Sequence, residues 1–312
     1  MRPDISIILV NYNAAEMLRA CLESIRTTKG DLRVQTILVD NNSKDESLEV
    51  ARRECPDIVL LAQKSNLGYV KANNVALPYA TGEKLLLLNN DTVLLPGCLQ
   101  LLCEYMDRHP EAGAISPQIL NPDGTDQGVA RSFPSLMSAV FGRRSVLSRW
   151  FPGNRWTKRY LIGLHHPGDE AFACEFLSTA CLMMRTADAR SFGGLDEEFR
   201  HYWVDAELCH RVIEMGRTVA CVPRAKLLHF EGQGGSNKSW RRRVNSTLTF
   251  HRDAYLAYTK LHRLRGWHPR AWMTAALLAV RAGLLVAMQI VRPGKSTTSP
   301  AFRQSHASQK QA

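Results

Sequence analysis

The sequence predicts an α/β protein whose sheet is mostly parallel. Three observations carry this reading. Continuous apolar runs recur through the first 125 residues, segments with helical spacing separate them, and the runs end in clusters of Asn and Asp. Apolar runs without alternation are what strands covered on both faces look like, and the helical segments supply the covers. At 312 residues the chain has material for one large domain or two small ones with a full core.

Ile5–Val10 reads as a buried strand. Ala15–Thr27 follows as a helix, because Met17, Leu18, Cys21, Leu22 and Ile25 recur at helical spacing. Thr36–Val39 is a second strand and Ser47–Glu54 a second helix. Ile58–Ala62 with Tyr69–Tyr79 repeats the pair, and Lys84–Leu88 with Pro96–Arg108 repeats it again. Residues 126–190 are less regular, with one further strand read over Glu175–Arg185. The Gly193-Gly194 turn leads to a helical pattern, Asp205–Met215, that stops at Gly216 as a C-cap. Thr218–Val222 is a last strand, and residues 229–236 form a Gly-rich loop.

In such sheets ligands bind beyond the carboxyl ends of the strands. Those ends are unusually polar here. The first strand runs into Asn11-Tyr12-Asn13, the second into Asp40-Asn41-Asn42-Ser43 and the fourth into Asn89-Asn90-Asp91-Thr92, while Ser65-Asn66-Leu67-Gly68 follows the third. Each cluster alone also reads as a turn or helix cap. Four at one edge of a sheet point to a ligand cleft.

The chain carries 40 Lys or Arg against 29 Asp or Glu, a net of +11. Such an excess points to nucleic acid, an anionic membrane or an anionic substrate. From Asn237 onward there are 14 basic residues and one acid, Asp253, a net of +13; residues 1–236 hold 26 basic and 28 acidic residues, a net of −2. The body is therefore not basic. Arg143–Tyr160 interleaves Trp150, Phe151, Trp156 and Tyr160 with Arg and Lys, as single-strand binders do. No nucleic-acid module accompanies it, and no nucleic-acid partner is expected. The eight cysteines form no CxxC pair and lie mostly in apolar stretches, which reads as buried free thiols. Met1-Arg2-Pro3-Asp4 enters the first strand without a leader pattern, so the expected setting is cytosolic and reducing.

Six segments fall in a recognisable order: ISIILVNYN at 5–13, ILVDNNSKDES at 37–47, NLGYVKANN at 66–74, LLLLNNDTVLLPG at 85–97, FGGLDEEFRHYWVDAELCHR at 192–211 and HFEGQGGS at 229–236. Together they resemble the inverting glycosyltransferases of family 2, and within them the rhamnosyltransferase-like branch. The resemblance implies the GT-A nucleotide-diphospho-sugar transferase fold, Rossmann-like, with the basic helical extension added at the C-terminus. It implies residues 1–125 as the nucleotide-sugar-binding half and 126–236 as the acceptor-binding and catalytic half of the same domain, while charge and hydropathy make 237–312 a third unit, a basic, partly apolar helical tail with a disordered end.

By position, the resemblance makes Asp40 the residue that accepts from a pyrimidine N3–H. Asn11, Asn42, Asn66 and Asn89 would line the same pocket, and Gly68 would let backbone approach the ligand. Asp91 matches the last Asp of the family's metal motif, and His229 its late histidine; together they would hold a divalent ion, Mn²⁺ or Mg²⁺, with the imidazole favouring Mn²⁺. A lone histidine also reads as a structural residue, and only the resemblance selects the metal role. The family usually reads Glu-Asp-x-Asp where this chain reads Val204-Asp205-Ala206-Glu207. Asp205 keeps the position of the catalytic base, although it also reads as a helix N-cap. Glu207 falls on another helix face and reads as structural. Asp196 and Glu197 resemble the family's acceptor-side Asp-Glu pair, with loop ordering or a solvated turn as the alternatives.

The function so implied is transfer of a sugar, with rhamnose from dTDP-rhamnose as the first expectation, onto a lipid-linked or polysaccharide-precursor glycan. A UDP-hexose or galactofuranose donor is the alternative within the class, and a non-catalytic scaffold of the same fold lies outside it. In the tail, Ala271–Val291 is long enough to span a bilayer, but Thr274, Arg281 and Gln289 interrupt it. It reads as a helix lying in a membrane interface, packed on protein, or spanning. The basic residues before it would hold an anionic cytoplasmic leaflet, so residues 237–291 are the expected membrane contact, peripheral on the cytoplasmic face. Oligomerisation stays open.

Overall fold

Among the described residues nine strands form one sheet, in the order Val59–Ala62, Val34–Asp40, Ile5–Asn11, Lys84–Asn89, Cys181–Arg185, Ala112–Leu120, Thr218–His229 and Thr92–Leu94, with Phe172–Ala173 added beside Thr218–His229. The computed structural model describes residues 2–135, 150, 154–166, 168–231 and 240–291. The strands are β1 (Ile5–Asn11), β2 (Val34–Asp40), β3 (Val59–Ala62), β4 (Lys84–Asn89), β5 (Thr92–Leu94), β6 (Ala112–Leu120), β7 (Phe172–Ala173), β8 (Cys181–Arg185) and β9 (Thr218–His229). The β3-β2-β1-β4 block and the β6–β9 pair are parallel; the shorter pairings that join and flank them are antiparallel.

The helices are α1 (Ala15–Thr28), α2 (Ser47–Glu54), α3 (Tyr69–Ala76), α4 (Cys98–Arg108), α5 (Arg155–Tyr160), α6 (Thr186–Ser191), α7 (Val204–Glu214), α8 (Trp240–Leu261) and α9 (Pro269–Val291). Strand residues alternate between the two faces. Ile5, Ile7 and Leu9 pack with Leu18, Leu22, Leu99 and Leu102 of α1 and α4. Ile8, Ile37 and Leu87 pack with Val70, Leu208 and Val212 of α3 and α7 on the other face. Covering both faces is what made the first four strands read as unbroken apolar runs.

Several expected boundaries move, each for a local reason. The Tyr69–Tyr79 helix stops at Ala76 and ends in a 3₁₀ turn over Leu77–Tyr79, because Pro78 has no N–H to continue an α-helix. The helix expected from Pro96 begins at Cys98: Leu95-Pro96-Gly97-Cys98 is a turn closed by Cys98 N to Leu95 O, and Gly97 takes φ 78°. The strand read over Glu175–Arg185 is strand only over Cys181–Arg185, the span that pairs with β4, while Phe176 and Leu177 leave the sheet to fill the core. The strand read over Thr218–Val222 continues to His229. Pro223 stands in a bulge where β9 jumps from Val222 to Lys226 against neighbouring Pro117 and Gln118, so its missing N–H breaks no ladder bond. The cysteines are free, and all but Cys55 are buried.

The C-terminal segment is a helical hairpin. α8 packs against α7, and α9 packs back along α8, with Gln289 Nε2 donating to Thr247 Oγ1 at 2.9 Å. α9 is long and apolar enough to cross a membrane by length and composition. Its polar stripe faces inward: Thr274 is buried, and burial first, then the Arg281 charge, hold the buried His251 of α8 below the usual histidine range, against its hydrogen bond with Thr247 O. Trp272, Met273, Leu277, Val280, Leu284 and Met288 are exposed along its outer side. The Arg143–Tyr160 stretch lies partly outside the described residues, as do residues 232–236 of the Gly-rich loop and all of 295–312.

Candidate active site

Parallel register delivers the polar strand ends to one edge. Asn11 pairs with Asp40 across β1 and β2, and Val10 pairs with Asn89 across β1 and β4. Asp40 is only 1% exposed and is the hub of a network. Its Oδ1 accepts from Asn11 Nδ2 at 3.1 Å and Ser43 Oγ at 2.6 Å, and its Oδ2 accepts from the Ser43 backbone N–H at 2.9 Å. Asn90 Nδ2 donates to Asn11 Oδ1 at 2.6 Å, which ties in the end of β4. Asp40 therefore ties together the ends of β1, β2 and, through Asn11 and Asn90, β4. Asn42, half-buried at φ 65°, accepts from Lys44 Nζ at 2.7 Å, and Asn89 is half-buried at the end of β4.

The loop before α3 closes one side. Asn66 Oδ1 accepts from Gly68 N–H at 2.8 Å, while the Asn41 side chain donates to Gly68 O at 3.3 Å and accepts from Leu67 N–H at 3.2 Å. Gly68 takes φ 79°, a conformation that favours glycine, and a Cβ there would lie 3.9 Å from Arg200 O. The 66–68 loop thus meets the segment that leads into α7.

Asp91 and His229 come together because β5 and the end of β9 are antiparallel partners, with Thr92 opposite His229. The two side chains are 6% and 8% exposed at residue level, and Asp91 Oδ1 lies 3.3 Å from His229 Nε2. That contact is not aligned as a hydrogen bond, so the buried Oδ1 has no hydrogen-bond partner. Gln127 decides which nitrogen of the ring carries hydrogen. Its Nε2 donates to His229 O at 2.9 Å, so its Oε1, 2.9 Å from His229 Nδ1, must accept from that nitrogen. A neutral imidazole then presents a lone pair at Nε2, facing the unpartnered carboxylate oxygen. A cation between the two atoms relieves the repulsion of such facing acceptors, whether a proton carried on Nε2 or a metal ion. The donor set, one carboxylate oxygen and one imidazole nitrogen, suits a divalent ion that takes its remaining ligands from diphosphate and water. Among the described residues no cluster of three or more His, Cys, Asp or Glu side chains is placed to hold a metal.

Asp205 is the second residue of α7. It is half-buried by accessible surface, and burial raises its carboxyl above the usual range, opposed by the Arg131 charge and the Ala206 N–H. The phenol of half-buried Tyr69 lies near both Asp205 and Asp91. Burial first, then these two negative charges, push it well up, against the hydrogen bond it gives Thr179 O at 3.1 Å. Val204 points into the core at 1% exposure, so the carboxylate usual at that position in the family would enter an apolar environment here. Glu207 pairs with Arg211 at 2.8 Å on the same helix, away from the cleft role. Asp196 forms an ion pair with Lys260 of α8 and accepts from Glu198 N–H at 2.9 Å, while the exposed Glu197 accepts from Asn74 at 3.1 Å. Both make these contacts within the segment before α7.

Ser43, Asn90, Gln127 and Arg131 belong to this site without having been singled out in sequence. Ser43 and Asn90 stood inside the polar clusters and lacked only a partner to mark them. Gln127 acts across 102 residues and Arg131 across 74, and no local pattern marks such pairs.

Comparison with known proteins identifies the family. The chain is 28% identical over 299 residues to the N-acetylglucosaminyl-diphospho-decaprenol L-rhamnosyltransferase of Mycobacterium tuberculosis (strain CDC 1551 / Oshkosh), covering 92% of this chain and 94% of that protein. It is 38% identical over 220 residues to a PGL/p-HBAD biosynthesis glycosyltransferase of Mycobacterium bovis (strain BCG / Pasteur 1173P2), covering 63% and 82% respectively. The fold is shared with a mannosyltransferase from Pyrobaculum calidifontis solved in complex with GDP-Man and Mn²⁺, at TM-score 0.58, 15% identity, and 100% and 81% coverage. Residues 6–172 match the family model described as Glycosyl transferase family 2, which is more than half of the chain. The chain belongs to glycosyl transferase family 2, has the GT-A fold, and is a glycosyltransferase.

Proposed function

We propose that this enzyme transfers L-rhamnose from dTDP-rhamnose, with inversion, to a lipid-linked glycan whose carrier is a prenyl diphosphate. The observation that carries this is the near full-length similarity to a rhamnosyltransferase whose name states both the sugar and the decaprenyl-diphosphate acceptor. A donor panel of dTDP-rhamnose, UDP-glucose, UDP-galactose and UDP-galactofuranose, with Mn²⁺ and a prenyl-diphosphate N-acetylglucosamine acceptor, tests it. Product from dTDP-rhamnose alone is the expected result. Product from a UDP sugar instead overturns the donor assignment.

The chemistry follows from the cleft. The base would rest on Asn11, Asp40 and Asn90, beside Asn42, Asn66, Gly68 and Asn89. Asp205 takes the proton of the acceptor hydroxyl as its oxygen attacks the anomeric carbon, and the bond to the diphosphate breaks on the opposite face. Asp91 Oδ1 and His229 Nε2 are the residues that would hold the divalent ion. When bound, that ion stabilises the charge developing on the leaving diphosphate. Gln127 keeps the Nε2 lone pair of His229 turned to it. Gln127→Leu should weaken Mn²⁺ binding roughly tenfold or more, read by calorimetry or electron paramagnetic resonance. Unchanged affinity rejects the tautomer assignment.

The body divides into a donor half, residues 1–125, and an acceptor half, residues 126–236, while residues 237–291 meet the membrane. α9 lies flat on an anionic cytoplasmic leaflet with its apolar outer face in the lipid boundary. What supports this is the sidedness of the helix: Thr274, Arg281 and Gln289 turn toward α8, and an unbroken row of apolar side chains is exposed opposite. Glutamate at both Leu277 and Leu284 should reduce co-sedimentation with phosphatidylglycerol vesicles by roughly tenfold or more. Sedimentation equal to the parent protein rules out this face.

A further inference from the structure

We infer that Asp253, on α8, is a positioning residue for the catalytic segment, a role that rests on reading Asp205 as the base. Asp253 is the single acid among the 14 basic residues that follow Asn237, and it is fully buried at 0% exposure. Its Oδ2 accepts from three consecutive backbone N–H groups, those of Arg200 at 3.2 Å, His201 at 3.1 Å and Tyr202 at 3.1 Å. Its Oδ1 accepts from Arg252 Nη1 at 2.7 Å, and the same nitrogen donates to Glu198 O at 2.9 Å. Successive N–H groups converging on one point make an anion-binding concavity. Here the protein fills that concavity with its own carboxylate, supplied from a helix more than 50 residues further along the chain.

The clamped segment runs directly into the chemistry. Trp203 follows it at φ 64°, an uncommon conformation for a bulky residue, held by ring contacts to Phe250 of α8 at 5.5 Å and Phe176 at 6.4 Å. Val204 then starts α7 in the core, and Asp205 is next. On the other side, Arg200 O borders Gly68 of the donor loop. One buried carboxylate therefore sets the path of the backbone between the donor loop and the base. The ion pairs of Lys260 with Asp196 and Glu198 and the contact of Tyr202 with Ser246 staple the same segment, but nearer the surface. The helical hairpin thus shapes the cleft as well as meeting a membrane. Losing the clamp should slow transfer without weakening donor binding, because a displacement of about 1 Å at a reacting group costs on the order of 10²-fold in rate.

The test uses full-length Asp253→Asn, which keeps one acceptor oxygen, and Asp253→Ala, which keeps none. For each, dTDP binding is titrated by calorimetry, transfer kcat is expressed per dTDP-binding site, and hydrogen exchange is followed at residues 200–202. The expected result is faster exchange at those amides and a kcat loss of roughly 10- to 100-fold, larger for Ala than for Asn, with dTDP affinity and stoichiometry retained. An unchanged kcat per site in Asp253→Ala overturns the proposal. So does loss of dTDP binding in both variants, because Asp253 would then serve the fold as a whole. Asp205→Asn run alongside separates the two readings. If it keeps transfer, the base assignment fails; if it abolishes transfer while Asp253→Ala does not slow it, only the positioning role fails.

Discussion

Asp205→Asn is expected to lower kcat for sugar transfer by roughly 10²- to 10⁴-fold, the range that a positioned general base contributes. The change keeps the size of the side chain, and Asn Oδ1 can still accept the Ala206 N–H that Asp205 receives at 2.9 Å. Donor affinity should therefore be retained, and the loss should appear in kcat. Burial raises the Asp205 carboxyl, so the ionised form is disfavoured in the folded state relative to the unfolded chain. Two consequences have a definite sign. Transfer by the parent enzyme should fall as pH drops through that raised pKa, because the base becomes protonated. The cost of holding the ionised carboxylate is absent below the unfolded pKa and complete above the folded one, so at neutral pH Asp205→Asn should melt no lower than the parent. A melting temperature well below the parent, or transfer within tenfold of it, would remove Asp205 as the base.

Asp91→Asn should abolish Mn²⁺ binding and cut transfer by a comparable factor, on the order of 10³-fold, because charge on the leaving diphosphate loses its stabilisation. The expectation comes from the unpartnered Oδ1, a buried carboxylate oxygen facing the Nε2 lone pair of His229 at 3.3 Å. An amide supplies a weaker oxygen ligand and no charge. His229→Ala should weaken Mn²⁺ binding less than Asp91→Asn, since it removes a neutral donor. Calorimetric titration of each variant with Mn²⁺ in the presence of dTDP is the direct measurement. Full-strength binding by Asp91→Asn would show that the pair is an ordinary buried contact.

The strand ends were legible because each is a local signal. An apolar run covered on both faces announces itself, and the Asn and Asp that follow it must sit where the sheet stops. The second half of the sheet, where antiparallel pairings surround the parallel β6–β9 pair, was harder to read. β6 contains Gly113 and Pro117, β9 contains Pro223, and β5 has only three residues, so none repeats long enough to stand out. Those strands are held by their neighbours, with bulges at Pro117 and Pro223 that exist only once the partner strand is present. The role of the C-terminal segment was legible only in part. Its charge and its apolar helix were plain, but Asp253 looked like a lone acid in a basic tail.

The sequence by itself determined the α/β class, the order of the first helices and strands, and the residue types at the sheet edge, because these follow from periodicity and turn chemistry within a few neighbours. Tertiary structure alone decided that Asp40 is a buried hub, that Gln127 sets the tautomer of His229, and that Asp253 clamps residues 200–202. The physical reason is common to all three. A buried polar group takes whatever partner the fold brings within hydrogen-bond reach, and that partner is chosen by packing in space, at sequence separations no local pattern records.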